Sequence, residues 1–399
     1  TLDRSSAASD VYKRQTIVLC SATQPCLEQT AHPMTENIKD IVPFDEELWR
    51  VFRRTQIIDK GGMRLDAIPA FIAEQLDRTD SLLVICNLKK QAAYLFTEMN
   101  LENTVIFHLS AGMCMAHRMT VISEINSALE KRRTDPDAPK VVCISTQVIE
   151  AGVDVSFGCV IRLCAGLDSV IQAAGRCNRN GELNGAADVF IINCRGEDLG
   201  MLRSIKDGKM ACMSLLSDYK YHPEKYPSGL TSDEAVYAYY KKFYIQSDIG
   251  AQDMPIKIDG SPFTLFDLLS LDRTFANAPY LKANGEKYAL TQAFKTAGSR
   301  FTVFGSRTTD VIVPYGEGKE IITELGSKRV EEDIKYLKKL IKKARAYTVS
   351  LYENQRRALA DSGALHPIAD GIALALSEEF YNEDFGLNLD GESREAITL

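Results

Sequence analysis

Residues 82–86 read LLVIC, a run in which every side chain is apolar. Similar short runs recur between residues 56 and 193, and they give the predicted strands Gln56–Asp59, Leu82–Cys86, Thr104–Phe107, Val141–Ser145, Cys159–Leu163 and Asp188–Asn193. Segments of helical periodicity separate these runs, for example Leu65–Arg78 and His117–Arg132. Strands that are apolar on both faces and alternate with helices are typical of a parallel sheet covered on each side. The sequence therefore predicts a doubly wound α/β lobe, with its ligand crevice at the carboxyl ends of the strands.

The segments on either side of this lobe have a different character. Residues 1–15 are small, polar and charged, and we interpret them as a non-native or disordered extension. They lead directly into the apolar run TIVLC at 16–20, which is predicted to be a strand. Residues 199–289 are predicted to form a helical linker region, and residues 290–399 a small α+β domain.

The predicted C-terminal domain contains a strand at Thr309–Val313 and a basic helix from about residue 329 to 346. The apolar stripe of that helix is predicted to comprise Val330, Ile334, Leu337, Ile341 and Ala344. Its lysines then form the opposite face, which is more often solvated than bound to DNA or to a partner complex.

Composition excludes several classes of protein. The net charge of -7 argues against sequence-blind binding to a polyanion, although a local basic groove could still hold one strand. No two of the ten cysteines are spaced as CxxC and the five histidines do not cluster, so no metal site is predicted. No window approaches the eighteen or so consecutive apolar residues that a membrane span requires, and we expect a cytoplasmic protein without membrane contact.

The segment STQVIEAGVDV at 145–155 carries the first group of candidate functional residues. Thr146 ends a predicted strand, where its hydroxyl and nearby backbone amides could meet a phosphate of bound nucleic acid. Gly152 would permit close approach of the backbone, and Asp154 could accept a hydrogen bond from a ribose hydroxyl. The alternative is a loop in which Gly152 and Asp154 only form a turn.

The segment SVIQAAGRCNR at 169–179 carries the second group. Arg176 and Arg179 are three residues apart, so they would lie on one face if the segment is helical. Two guanidinium groups with the Gln172 amide nearby could stabilise the charge on a transferring γ-phosphoryl group. The alternative is a pair of exposed arginines in surface ion pairs.

Taken in order, five segments resemble motifs III to VI of superfamily 2 helicases: SAT at 21–23, VICNLKKQA at 84–92, HLSAGMCMAHR at 108–118, STQVIEAGVDVSF at 145–157 and QAAGRCNRNGE at 172–182. The sequence SVIQAAGRCNRNGE at 169–182 resembles that of the helicase–nuclease family that degrades target DNA in type I CRISPR systems. Residues 291–322 and 347–355 resemble the C-terminal domain of that family. The resemblance implies that residues 16–55 are the tail of a first RecA-like lobe and that residues 56–198 are the second RecA-like helicase lobe.

The resemblance also implies roles for individual residues. Gln172, Arg176 and Arg179 would contact ATP from the second lobe. Gly152, Asp154 and Gly175 would line the nucleotide cleft. Thr146, Asn87 and Ser110 would touch the DNA backbone, and Ser21 and Thr23 would couple hydrolysis to movement of the lobes.

Together these roles imply an ATP-dependent translocase or helicase on single-stranded DNA, working with Mg²⁺ in CRISPR antiviral defence and recruited to a CRISPR effector complex. The alternatives are a stand-alone module that binds nucleic acid or the effector complex without ATPase activity, and a superfamily 2 helicase unrelated to CRISPR.

The 399 residues contain no GxxxxGK[ST] phosphate loop, no acidic DExH-type motif and no histidine–aspartate nuclease cluster. The nearest look-alike is Gly316-Glu317-Gly318-Lys319, where Glu320 replaces the Ser or Thr that would hold Mg²⁺, and we interpret it as a surface turn. In the family these elements precede the SAT motif. We therefore expect the chain to be a fragment that lacks an N-terminal lobe and nuclease domain and that is inactive alone.

Overall fold

A six-stranded parallel sheet forms the centre of the predicted lobe. Its strands are β1 (Thr55–Arg64), β2 (Ser81–Ile85), β3 (Thr104–Leu109), β4 (Lys140–Ser145), β5 (Cys159–Leu163) and β6 (Ala187–Arg195). They lie in the order β1-β6-β5-β2-β4-β3, and every neighbouring pair is parallel. All six predicted strands are present, with β1 and β6 longer than expected. The prediction of a doubly wound α/β lobe is confirmed.

Helices cover both faces of this sheet. They are α1 (Ile68–Leu76), α2 (Lys89–Glu98), α3 (Met115–Thr134) and α4 (Leu167–Ala174). Leu83 and Ile85 of β2 pack in one core cluster with residues of α3, whereas Leu82 and Val84 pack in a second cluster with residues of α1 and α2. Successive side chains of a strand point to opposite faces, so a strand that is apolar throughout needs a cover on each side.

The computed structural model describes residues 18–30, 33, 41–42, 53–150, 152–200, 202–246, 254–258, 261–269, 292–301, 308–327, 329–330 and 333–389. The chain divides into two compact units. The first comprises residues 1–49, 166–168 and 206–305, and the second comprises residues 50–165, 169–205 and 306–399. The domain boundaries of the sequence analysis remain a prediction. Within the described residues, every helix falls short of the length and apolarity needed to cross a bilayer.

The first unit contains the SAT motif and the helical region. Its elements are α5 (Arg203–Tyr221), α6 (Asp233–Gln246), the hairpin of β7 (Pro255–Ile258) and β8 (Ser261–Thr264), α7 (Leu265–Leu269) and α8 (Phe294–Arg300). Helices α5 and α6 lie within residues 199–289, which the sequence predicts to be a helical linker region. The strand predicted at 16–20 is wrong over Val18–Cys20, which are exposed and belong to no strand. A strand needs a hydrogen-bonded neighbour, and no described strand pairs with this segment.

The C-terminal part of the second unit is built on a mixed sheet in the order β10-β9-β12-β11. Its elements are β9 (Thr308–Ile312), α9 (Gly318–Leu325), α10 (Ile334–Ala344), β10 (Thr348–Tyr352), α11 (Glu353–Asp361), β11 (Leu365–Ile368), β12 (Ala373–Leu376), β13 (Tyr381–Asn382) and β14 (Gly386–Leu387). The predicted strand and basic helix correspond to β9 and α10.

One member of the predicted apolar stripe on α10 is wrong. Ile334 is 67% exposed, and Leu340, which the stripe omitted, is buried. The carboxylate of Asp333 caps the helix by accepting hydrogen bonds from the backbone amides of Lys335 and Tyr336 at 2.9 and 3.0 Å. The helix therefore begins at Ile334, several residues later than predicted, and its first residue faces away from the core.

The hairpin of β13 and β14 attaches this C-terminal part to the loop that follows β3. The amide of Leu387 donates to the carbonyl of Gly112 at 2.8 Å, and the amide of Cys114 donates to the Tyr381 hydroxyl at 3.0 Å. A Cβ atom on Gly386 would lie 2.4 Å from the Gly112 carbonyl oxygen. Since real Cβ atoms do not approach backbone that closely, this contact requires glycine at position 386.

Replacing Gly386 by alanine should destabilise the protein more than the same change at Gly363. Both glycines have a positive φ, +76° and +74°, but a Cβ atom on Gly363 would meet no atom within 4 Å. Gly363→Ala should cost about 1 kcal/mol for backbone strain alone. Gly386→Ala should cost about 2 kcal/mol more, because overpacking is added. Urea unfolding of both variants measures the difference, and equal losses would contradict the close approach.

His108 lies beneath the same hairpin and is buried. Its Nδ1 is 3.2 Å from the Asp384 carbonyl oxygen, and its ring packs against Phe96 and Phe385. Nε2 makes no hydrogen bond within the described part of the chain. Protonation would therefore place a second N–H group among aromatic rings, and burial lowers the pKa of His108 to about 4.

Stability should consequently fall as the pH drops from about 6.5 towards 4. The unfolded chain binds a proton at His108 near the ordinary pKa of 6.5, whereas the folded chain does so only near pH 4. The stabilisation that comes from neutral His108 is therefore fully present above pH 6.5 and is lost as the pH falls towards 4. Between pH 7 and about pH 5 the loss should be about 2 kcal/mol. Urea unfolding at the two pH values should show a pH dependence smaller by this amount in His108→Phe. An unchanged pH dependence in that variant would contradict the assignment.

Candidate nucleotide and nucleic-acid site

Three of the predicted DNA-contacting residues follow the carboxyl ends of neighbouring strands. Asn87 comes after β2, Ser110 after β3 and Thr146 after β4, and we call these three the carboxyl-edge set. Parallel strands bring their carboxyl ends to the same edge of a sheet, which explains why residues distant in sequence lie on one side here. All three side chains are buried.

Thr146 and Ser110 differ in how they are bound. The amide of Thr146 donates to the Leu109 carbonyl at 3.0 Å, but the Thr146 hydroxyl makes no hydrogen bond within the described residues. The Ser110 hydroxyl accepts a hydrogen bond from the Gly112 amide at 3.2 Å and so stabilises the turn before α3. Thr146 is thus the member of the set whose side chain makes no hydrogen bond within the described residues.

Two of the predicted nucleotide-contacting residues, Gly152 and Asp154, lie in the loop that leads from β4 to β5. Gly152 has φ +73°, and a Cβ atom there would meet nothing within 4 Å, so the backbone is open on that side. The Asp154 side chain is 87% exposed, and its Oδ1 lies 3.0 Å from Nε of Arg179. The structure therefore brings motif V and motif VI into contact through this ion pair.

The segment that carries Arg176 and Arg179 is not helical, so the condition for placing both arginines on one helical face is not met. Helix α4 ends at Ala174, and the following residues pair with the segment before β5. The Phe157 amide donates to the Arg176 carbonyl, and the Asn178 amide donates to the Phe157 carbonyl, both at 2.9 Å. This parallel bridge takes the chain out of the helix, and the two arginines differ in burial: Arg176 is buried and Arg179 is exposed.

Arg176 is 7% exposed, and its guanidinium is directed into the protein. Its Nε donates to the Ile149 carbonyl at 2.9 Å, and its Nη2 donates to the Glu150 carbonyl at 2.6 Å. Burial, and then the nearby charge of Arg179, lower the pKa of Arg176. An arginine nevertheless stays cationic at neutral pH, so Arg176 acts as a charged clamp on the motif V backbone.

Arg179 is the more accessible arginine, with 41% of its side chain exposed. Besides the Asp154 ion pair, its Nη1 donates to the Gly175 carbonyl at 3.3 Å. Gly175 is exposed, and Gln172 is half-buried near the end of α4. We call Gly152, Asp154, Gln172, Gly175, Arg176 and Arg179 the arginine set.

Sequence reasoning missed the residue that holds the motif VI backbone in place. Asn178 is buried with φ +45°, a conformation that asparagine tolerates better than most residues. Its Nδ2 donates to the carbonyls of Arg54 and Gly185 at 3.3 and 3.2 Å, and its Oδ1 accepts from the Leu183 amide at 3.1 Å. The available signal was its place in the run NRNG, which is typical of a turn.

Sequence reasoning also missed a buried ion pair inside the lobe. Arg162, in the middle of β5, is completely buried, and its Nε lies 2.8 Å from Oε1 of Glu150, whose side chain is 7% exposed. The signal was present, since Arg162 is the one charged residue in the apolar run CVIRL at 159–163. An arginine is seldom fully buried unless it is paired, so that run indicates a buried carboxylate partner.

Asn87 belongs to the same buried network. Its Oδ1 accepts a hydrogen bond from Arg162 Nη1 at 2.6 Å, and its Nδ2 donates to the Cys164 carbonyl and to Glu197 Oε1, both at 3.0 Å. Gln91 also donates to Glu197 Oε1 at 3.0 Å. The predicted contact between Asn87 and DNA would therefore require it to exchange one of these internal bonds.

The SAT motif is a compact turn within the first unit. The Ser21 hydroxyl donates to the Thr23 carbonyl at 2.8 Å, and the Thr23 and Tyr240 hydroxyls lie 3.0 Å apart. Thr23 is buried against α6, whereas Ser21 is exposed. Their role in coupling the two lobes remains a prediction.

The GEGK look-alike is a turn followed by a helix. Gly316 and Glu317 form an exposed turn, as predicted, and Gly318 and Lys319 begin α9. Lys319 pairs with Glu378 at 3.3 Å. Over the residues whose positions are described, no group of three or more histidine, cysteine or acidic side chains is placed to hold a metal ion.

Removal of Arg176 should destabilise the protein far more than removal of Arg179. Arg176→Ala leaves two buried carbonyls without their charged donor and should cost about 2–3 kcal/mol. Arg179→Ala breaks an exposed ion pair and should cost less than about 1 kcal/mol. Urea unfolding of the two variants tests this difference. Equal destabilisation would contradict the burial of one arginine and the exposure of the other.

A family model and a known protein that match parts of this chain both belong to the Cas3 family. Residues 78–182 match the family model described as CRISPR-associated nuclease/helicase Cas3, C-terminal. A 41-residue segment is 66% identical to the CRISPR-associated nuclease/helicase Cas3 of Haloferax volcanii, covering 10% of this chain and 4% of that protein.

Two solved structures are similar at low identity. A crystal structure of T. fusca Cas3 is 15% identical with a TM-score of 0.49, covering 81% of this chain and 39% of that one. A CRISPR-associated protein is 14% identical with a TM-score of 0.49, covering 84% and 41%. The chain thus spans about two fifths of the length of these proteins. T. fusca Cas3 has also been crystallised with ATP, AMPPNP and ADP.

The family model covers the segment that carries motifs IV to VI, and the resemblance to the CRISPR-associated helicase–nuclease family is thereby confirmed. This chain contains a Cas3-like C-terminal helicase segment.

Proposed function

We propose that this chain is the second RecA-like lobe and adjoining C-terminal region of an ATP-driven translocase on single-stranded DNA. It would act in CRISPR antiviral defence, with a first lobe that supplies the phosphate loop and the ligands of Mg²⁺. The Cas3-like segment supports the CRISPR helicase role at the level of the family. The observation that carries the proposal is the contact between motifs V and VI, in which Arg176 holds the carbonyls of Ile149 and Glu150 while Arg179 stays accessible beside Asp154.

The arginine set is suited to one half of a nucleotide site. The Arg179–Asp154 pair is exposed, and exposed ion pairs contribute only about 0–1 kcal/mol, so a phosphate could replace the carboxylate at little cost. The open backbone at Gly152 leaves room for a ribose or phosphate. When bound, ATP would supply the phosphoanhydride whose hydrolysis drives movement. Arg179 would hold negative charge on its terminal phosphate, with forked geometry that lysine cannot reproduce.

The carboxyl-edge set is suited to the backbone of a single strand. The buried Thr146 hydroxyl has no hydrogen bond within the described residues, and an unsatisfied buried polar group costs about 1–3 kcal/mol. A bound phosphate or sugar could satisfy that hydroxyl after a small opening of the loop. The net charge of -7 favours such local contacts over a broad electrostatic surface.

Recruitment to a CRISPR effector complex is the part of the proposal that follows from the family alone. The family match supports such a partner without locating the surface involved. Because the chain spans about two fifths of the solved relatives, the first lobe and the nuclease are proposed as partners. They could be supplied within one polypeptide or by a separate chain.

Arg179→Ala should abolish DNA-stimulated ATP turnover in a protein that contains both lobes. Loss of an arginine that stabilises a transferring phosphoryl group lowers turnover by about a thousandfold or more. Binding to single-stranded DNA and the urea midpoint should be nearly unchanged, because the exposed side chain contacts Asp154 and the Gly175 carbonyl and not the buried Arg162–Glu150 pair. Arg179→Lys should recover only a small part of the activity.

Arg133→Ala is the matched control for this experiment. The Arg133 side chain is 46% exposed and forms surface ion pairs with Glu130 and Glu182 at 2.8 Å, so its removal should leave turnover intact. Arg179 is a cleaner probe than Arg176, whose loss would also disturb the motif V loop. Normal ATP turnover in Arg179→Ala would overturn the proposed nucleotide site.

A further inference from the structure

The buried ion pair between Arg162 and Glu150 requires an explanation beyond stability. Arg162 is completely buried, and the Glu150 side chain is 7% exposed. Removing two charges from water costs several kcal/mol per ion, and apolar residues of similar volume often stabilise a core as well or better. A charged pair at this position therefore points to a role in positioning the neighbouring groups. An apolar pair could not fill that role, because apolar contacts are not directional.

From this pair, one chain of contacts leads to the arginine set. Oε1 of Glu150 forms an ion pair with Arg162 Nε at 2.8 Å, without the geometry of a hydrogen bond, and the carbonyl of the same residue accepts a hydrogen bond from Arg176 Nη2 at 2.6 Å. Glu150 therefore lies between two arginines, with its side chain fixed by one and its backbone bound to the other. A displacement of the Glu150 backbone would therefore disturb its contacts with both arginines.

A second chain of contacts leads to the carboxyl-edge set. Nη1 of Arg162 donates to Asn87 Oδ1 at 2.6 Å and to the Leu163 carbonyl at 2.8 Å. Asn87 donates onward to Glu197, which also accepts from Gln91. The Gln91 side chain in turn accepts a hydrogen bond from the Leu88 amide at 3.0 Å. One planar guanidinium thus fixes the loop after β2 and the loop after β4 at the same time.

We infer that Arg162 and Glu150 are positioning residues that couple the carboxyl-edge set to the arginine set. Arg162 holds Asn87 in one set, and through Glu150 it fixes the carbonyl that binds Arg176 in the other. A displacement of either loop is transmitted to the other through a single rigid group. The meaning of this coupling for DNA-stimulated hydrolysis rests on the proposed function, whereas the coupling itself is a property of the described residues.

The test is hydrogen–deuterium exchange of the 399-residue chain, followed by mass spectrometry on peptides that cover residues 87–91, 146–150 and 175–179. In Arg162→Met, exchange in all three segments should accelerate by about tenfold or more, because local opening replaces a fixed network. Ile161→Ala is the matched control. Ile161 is also completely buried in β5 but packs on the opposite face of the sheet, so this variant should lower stability without selectively releasing the three segments.

A double variant separates positioning from stability. Arg162→Met with Glu150→Leu removes both charges and should regain most of the urea midpoint lost in Arg162→Met, since no unpaired buried charge remains. Fast exchange in the three segments should persist. Recovery of slow exchange in the double variant, or equal exchange in Arg162→Met and Ile161→Ala, would overturn the inference.

If Arg162→Met alone fails to fold, two variants still decide the question. The double variant provides the test just described. Arg162→Lys keeps a charge for Glu150 but cannot also reach Asn87 as a fork, so exchange should accelerate in 87–91 more than in 146–150. Equal exchange in these two segments would contradict the forked role of Arg162. Because no nucleotide is required, a negative result here leaves the proposed ATP site untouched, and the activity of Arg179→Ala has no bearing on this test.

Discussion

The burial of one guanidinium group constrains the organisation of the six-stranded α/β lobe. Arg162 lies in β5 without contact with solvent, so its charge must be met inside the protein. The partners that meet it come from the loop after β2, the loop after β4 and the backbone of β5 itself. Segments distant in sequence are thereby fixed relative to each other at the points where the candidate functional residues lie.

The same constraint explains why motifs V and VI form one structure. Glu150 faces Arg162 with its side chain and Arg176 with its carbonyl, and Asp154 closes the loop onto Arg179. One arginine of motif VI is therefore structural and the other accessible, although the two are three residues apart. This division would allow the motif V loop to keep its shape while the exposed Arg179 guanidinium exchanges the Asp154 carboxylate for a phosphate.

Local patterns in the sequence were sufficient for the sheet and insufficient for the site. Apolar runs fix the strands because a parallel sheet buries both faces of each strand, and all six were predicted. The helical face proposed for Arg176 and Arg179 failed because the bridge between Phe157 and Cys177 ends the helix, and that bridge joins segments about twenty residues apart. The attachment of Tyr381 and Gly386 to the loop after β3 spans more than two thirds of the chain, a distance over which periodicity carries no information.

The proposed nucleotide site requires the motif VI segment to lie against the terminal phosphate of ATP. Photolabelling with an ATP analogue that carries an azidoanilide on the γ-phosphate tests it directly, in a protein that contains both lobes. Labelled peptides should include residues 172–179, and excess ATP should suppress the labelling. Labelling that is competed by ATP but found only outside this segment would contradict it.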